Sequence, residues 1–316
     1  MTVFGLGRVA IPGLFALIAV FACNAPPLFP EPPADANSRF EGLEPESYTL
    51  FGRPNEDGVS SECCMPSCPF EEDGEAHVWT APVYTPQDME TLYWDWELVT
   101  PWPVFAGNEF RPPLDPPDPR VPWVCAVVPR PELRNDSEAP MPYDLVDYPS
   151  REAAEAAGAM VTHRGRCGAC SSLRNLAIYI AYPDLTEPIR ECALVGIFDS
   201  SFSRLACIAS LGFDLPCAQA WDFNTTNTQK KCISVCGGPK KRKKPANIDY
   251  ECGPGKFVPT DINLVSDCLA CDELFSLEIF RTAAGRSRRG SGLPSPICRR
   301  CEGVERIEHF YRMPEP

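Results

Sequence analysis

The stretch MVTHRGRCGACSSLRNLAIYIAYP, residues 160–183, organises the reading of this chain. Met160 to His163 reads as a short strand. Cys167-Gly168-Ala169-Cys170 follows as a sulfur-rich turn, and Ser171 or Ser172 then offers a side-chain oxygen to cap a helix. Leu173, Leu176, Ala177 and Ile180 recur at helical spacing, and Pro183 ends the run. Upstream, Ser150 caps a short helix over residues 152–157 that Gly158 closes. Downstream, Thr186 with Pro188 starts a second helix, closed by Gly196. Ser200 or Ser201 starts a third, with Phe202, Leu205, Ala206 and Ala209 on one face. Asp214 opens a fourth through Cys217, Ala220 and Trp221. Cys232 and Cys236, four apart, share a helix face. A further helix is expected over residues 267–280. The glycine- and serine-rich run 285–292, carrying Arg286, Arg288 and Arg289, reads as flexible, solvated and open to proteases.

The other end of the chain reads as an export signal. Arg8 precedes the almost wholly apolar run Val9 to Phe21, which has signal-peptide length and is too short to span a bilayer stably. Val20-Phe21-Ala22-Cys23 resembles a bacterial lipobox, although Phe21 stands where a small residue is usual. The resemblance implies cleavage before Cys23 and acylation of that cysteine, giving a lipid anchor; the alternative is plain secretion with cleavage near Ala25. The expected layout is a signal peptide at 1–22, a lipid attachment site and proline-rich spacer at 23–38, an acidic proline- and tryptophan-rich part at 39–147, and a cysteine-rich helical domain at 148–312.

Cysteine usage agrees with export. The chain has 17 cysteines, and setting Cys23 aside leaves an even number able to pair. Behind an export signal these read as disulfide halves: Cys63, Cys64, Cys68, Cys125, Cys167, Cys170, Cys192, Cys207, Cys217, Cys232, Cys236, Cys252, Cys268, Cys271, Cys298 and Cys301. Adjacent Cys63 and Cys64 rarely satisfy disulfide geometry with each other, so separate partners are expected, with Cys68 and Cys125 as candidates.

Two other chemistries compete for these sulfurs. Cys167-x-x-Cys170 lies between a strand and a helix start, where the helix terminus stabilises a thiolate. That placement resembles the thioredoxin-like oxidoreductases, and implies a thiol–disulfide oxidoreductase using Cys167 and Cys170. The flanking chain lacks the further strands of that fold, Arg166 stands in place of an aromatic, and structural partners abound, so two staples are the leading reading. Cys268-x-x-Cys271 and Cys298-x-x-Cys301 could hold zinc with four thiolates, making a zinc-dependent interaction module; disulfides would compete outside the cell. The order from Cys167 to Cys236 resembles the saposin-like pattern, with an early close pair, Cys192 and Cys207 between, and a late close pair. It implies a helical, disulfide-stapled lipid-binding unit over about 70 residues, with Cys217 additional to the pattern.

Charge narrows the partners. Residues 23–160 hold 26 acidic and 7 basic side chains, whereas residues 161–316 hold 17 and 21. So acidic a chain is not expected to bind nucleic acid. The run Lys240 to Lys244 reads as a solvated loop. In the acidic part Trp79, Tyr84, Tyr93, Trp94, Trp96, Trp102, Phe105 and Trp123 could stack on sugar rings, but core packing is the simpler reading. Thr91 to Val99 partly alternates like a strand, and Val121 to Val128 is a second strand candidate. Asn135-Asp136-Ser137 and Asn224-Thr225-Thr226 match the N-glycosylation acceptor, which matters in a eukaryotic secretory pathway. With three histidines, His77, His163 and His309, histidine-based catalysis has few possible members.

The expected fold is a mainly α, disulfide-rich C-terminal domain behind an irregular proline-rich N-terminal part of mixed or β character. The expected function is a non-catalytic binding or structural role in an exported protein, lipid-anchored at the cell envelope or surface, or secreted. Partners would be the membrane through the anchor, and a surface polysaccharide or protein; no cofactor is expected.

Overall fold

The computed structural model describes residues 39–41, 68–72, 74–79, 81–104, 121–198, 201–236, 271–272, 275, 277–293 and 305–311. Cys23, Cys63, Cys64, Cys252, Cys268, Cys298, Cys301, Phe105, the leader, the spacer and Lys240 to Lys244 lie outside them, as do the side chains of Cys68 and Cys236.

The described residues form a mixed α/β structure, so the mainly α expectation holds in part: there are seven helices, a two-stranded hairpin and a four-stranded mixed sheet. β1 (Cys68–Glu72) and β2 (Glu75–Trp79) make the hairpin. α1 (Pro86–Trp94) and β3 (Trp96–Leu98) follow. Next come β4 (Val124–Pro129), β5 (Met141–Tyr148), α2 (Arg151–Ala156), β6 (Met160–Arg164) and α3 (Leu173–Ala181). α4 (Thr186–Phe198), α5 (Ser201–Ser210), α6 (Leu215–Cys236) and α7 (Leu277–Ala284) complete the series.

The alternation expected over Thr91 to Val99 gives way to a helix through Trp94. Thr85 accepts from the Asp88 amide and Asp88 reaches back to the Thr85 amide, a capping box with Pro86 in the first turn. Met89, Leu92 and Tyr93 then bury one face, so only Trp96–Leu98 remains as strand. The strand expected over Val121 to Val128 is β4, which starts later, at Val124; the short strand before Cys167 is β6, and the helix after it is α3, capped by Ser172. The fourth expected helix is longer than its opening suggested: α6 carries on through Cys232.

The four-stranded sheet has the order β3-β5-β4-β6. β3 runs parallel to β5, and β4 is antiparallel to both β5 and β6, with a bulge at Cys125/Ala126. β5 was not legible in sequence, because Pro142 and two aspartates interrupt it. Strands before and after residue 147 thus share one sheet. The main core does too: Phe40, Tyr93, Trp96 and Tyr143 pack with Leu173, Leu176, Ile178, Ile208 and Phe213. Tyr84, Tyr93 and Trp96 are buried, which places these three in the core rather than on a sugar-binding surface.

Four disulfides cross-link the described residues: Cys125–Cys167, Cys170–Cys217, Cys192–Cys207 and Cys232–Cys271. Cys125 therefore bonds Cys167, not Cys63 or Cys64. The saposin-like order matches in its middle pair alone; its early cysteines bond Cys125 and Cys217, and Cys232 bonds Cys271. No helix of the described residues is long and apolar enough to cross a membrane.

Candidate functional site

The Cys167–Cys170 turn is the hub where β4, β6, α3, α6 and the chain after α7 meet. Its backbone pairs with the end of α7: the Ala169 and Cys170 amides donate to Ala283 O and Ala284 O, both at 2.8 Å. The approach is so close that a Cβ on Gly168 would stand 2.5 Å from the Gly285 nitrogen, and Gly285 itself sits at φ +74°. Glycine is required on both sides of this contact. Each cysteine of the turn closes on a different element, Cys167 on β4 and Cys170 on α6. A redox pair must be able to close on itself, and this turn instead holds the halves of two separate bridges.

Beneath the turn lies a buried polar network. Arg286 is 1% exposed. Its Nε donates to Cys170 O, Nη1 to Thr162 O and Ser291 Oγ, and Nη2 to Thr162 Oγ1 and Ser171 O, at 2.7–3.1 Å. All five guanidinium N–H groups are thereby used. Burial lowers its pKa to about 10, which leaves it charged at neutral pH. The expectation of a flexible, solvated, protease-sensitive run at 285–292 fails for the same reason, since Arg286, Gly290 and Ser291 are core residues. Local composition marked the segment as loose; four backbone and hydroxyl acceptors on Thr162, Cys170 and Ser171 fix it.

Two histidines flank that cation. In His163, Nδ1 donates to Arg164 O (3.0 Å) and Nε2 accepts from Ser171 Oγ (2.7 Å), while the Gly168 amide donates to the same hydroxyl (2.8 Å). In His309, Nε2 donates to Ser291 O (2.7 Å), Nδ1 accepts from Tyr311 Oη (3.2 Å), and the backbone amide donates to Tyr84 Oη (3.0 Å). Burial and then the Arg286 charge hold both rings neutral, His309 down to about 3 and His163 well below its ordinary value. Ser171 and His163 thus have the hydrogen bonding of a nucleophile and base. Both are fully buried, and a ring kept neutral by an adjacent cation is a poor proton acceptor. The arrangement holds β6, the turn and residues 305–311 together.

A second network joins two helix starts. Ser172 Oγ donates to Asp214 Oδ2 (2.9 Å), and so does Asn175 Nδ2 (2.8 Å). The Asp214 amide donates to Asn175 Oδ1, and Asp214 Oδ1 accepts from the Cys217 amide. Burial pushes the Asp214 pKa up, and the bonds from Asn175, Cys217 and Ser172 oppose that shift. Tyr143 Oη accepts from the Leu173 amide at 2.9 Å, so the sheet caps α3 as well.

Of the zinc candidates, Cys271 is bonded to Cys232, and the other three lie outside the described residues. Among the described residues no cluster of three or more histidine, cysteine or carboxylate ligands occurs. Sequence reasoning did not find Arg286, Ser171 and His309 as partners of the turn. The available signal was an arginine within a small-residue segment and a histidine beside two aromatics, and periodicity registers neither.

Residues 201–307, about a third of the chain, match a family described as of unknown function (DUF8771). The match takes in α5, α6, α7 and Arg286, together with Cys207, Cys217, Cys232 and Cys271. No curated protein matches the chain, and no solved structure does.

Proposed function

We propose that this chain is exported and serves as a non-catalytic binding or structural protein outside the reducing interior of the cell. Four disulfides among the described residues support the compartment, since cytosolic thiols are kept reduced. The apolar run Val9 to Phe21 supplies the export signal. One observation carries the non-catalytic reading. Of the reactive groups of the hub, Cys167 and Cys170 are bridged to Cys125 and Cys217, Ser171, His163 and Arg286 are held in hydrogen bonds, and all but Cys167 are buried. A second reading of the N-terminus, acylation of Cys23, is favoured by its lipobox-like residues. It would tether the protein to a cell envelope through the proline-rich spacer.

Intact mass of the mature protein, before and after reduction and thiol alkylation, tests both. The expected result is loss of the leader and at least eight cysteines labelled only after reduction. A lipid mass on Cys23 would establish the tether. Recovery of the unprocessed chain with a dozen free thiols would overturn the export reading. An insulin-reductase assay addresses the oxidoreductase alternative, and turnover lost on Cys170→Ser would overturn the non-catalytic one.

A further inference from the structure

The two Asn-x-Ser/Thr triplets look equivalent in sequence and are opposites in structure. Asn224-Thr225-Thr226 lies inside α6. Asn224 is 9% exposed, and its Nδ2 points to Asp272 Oδ1 at 3.5 Å. Thr226 Oγ1 donates to Asp222 O (2.9 Å) and accepts from Arg204 Nη2 (2.7 Å), while Arg204 also pairs with Asp222. An oligosaccharide on that nitrogen would have to displace Asp272 and the packing around it.

Asn135-Asp136-Ser137 occupies the connection between the short 3-10 turn Pro131–Leu133 and β5. Asn135, Asp136, Ser137 and Glu138 are all exposed. The loop keeps its shape without help from the Asn135 side chain. Asp136 Oδ1 accepts from the Glu138 amide (3.0 Å) and, weakly, from Ser137 Oγ (3.4 Å), and Arg134 bonds Ala139 O and Ser137 O. The acceptor amide and the serine hydroxyl are therefore both open to an enzyme, on a segment whose backbone takes no part in the sheet.

We propose that Asn135 carries an N-linked glycan and that Asn224 does not. In the transfer, the Asn135 amide nitrogen attacks the anomeric carbon of a lipid-pyrophosphate-linked oligosaccharide. The carbon–nitrogen bond forms as the carbon–oxygen bond to pyrophosphate breaks, the amide proton passes to a base of the transferase, and the lipid pyrophosphate leaves. No electrons are exchanged with any other reactant. This rests on the export reading, with the leader cleaved as an ordinary secretory signal.

The test is expression of the full chain in a eukaryotic secretory host, with leader cleavage and mobility read together. The expected product is processed, secreted and disulfide-bonded, and shifts by one step on treatment with a peptide-N-glycosidase. N135Q should abolish the shift. S137A should do likewise while leaving the asparagine in place, and N224Q should keep it even if that variant is secreted poorly. An unprocessed chain retained inside the cell would sink the export reading. A processed, secreted chain with no shift, or a shift that survives N135Q in secreted material, would sink the glycan assignment alone.

Discussion

Acid should loosen the C-terminal segment through His309. Above its ordinary pKa of 6.5 the ring is neutral in both the folded and the unfolded chain, so folding moves no proton. Below 6.5 the unfolded chain takes up a proton that the folded chain refuses down to about pH 3, because burial and Arg286 disfavour the charged ring. Stability from this group is therefore complete above 6.5 and declines as the pH falls, by about 1.4 kcal/mol per pH unit. The loss is about 2 kcal/mol at pH 5 and about 4 kcal/mol by pH 3. His163 adds a loss of the same sign, and Asp214, whose pKa is raised, acts in the opposite direction. His309→Gln isolates the one group: its amide can still donate to Ser291 O but takes up no proton. Urea unfolding of the oxidised protein at about pH 7 and about pH 5 measures the difference. The variant should be the less stable at the higher pH, yet lose about 2 kcal/mol less than wild type on going to the lower. Parallel losses in the two chains would show that His309 is not held neutral, and the reasoning would fail.

Gly168→Ala must push a methyl into the Gly285 backbone, and should cost about 3 kcal/mol or more, read as a lower urea midpoint. Arg286→Met leaves three carbonyls and two hydroxyls without their donor and should cost about 3–5 kcal/mol. Arg286→Lys, with three donors in place of five, should recover only part of that in a thermal melt. Replacing Cys125 and Cys167 together by alanine opens a bridge spanning 42 residues and should cost on the order of 4 kcal/mol. In trypsin digests of the oxidised protein, the bond after Arg286 should resist cleavage and become sensitive on reduction, since the residue is buried until the staples are cut.

The sequence by itself determined the local elements near the cysteine turn and the oxidative character of the chain. Ser172, one of the two serines the sequence offered, caps α3 by accepting from the Asn175 amide, and Ser150 caps α2 in the same way. The bridges among the described residues join cysteines that composition alone marked as half-cystines. Pairing was a different matter. Cys167 bonds Cys125 because β6 lies beside β4, in a sheet whose other neighbour of β4 is β5, a strand whose proline and aspartates conceal it from any periodicity argument. Arg286 is the clearest case. In a run of glycine and serine it looks solvated, since four of its five acceptors lie on other elements more than 110 positions away. Burial of a charged group is decided by what surrounds it in space, and a linear pattern carries no record of that. The two glycosylation triplets make the same point, because one is built into α6 with its asparagine against Asp272 and the connection before β5 presents the other.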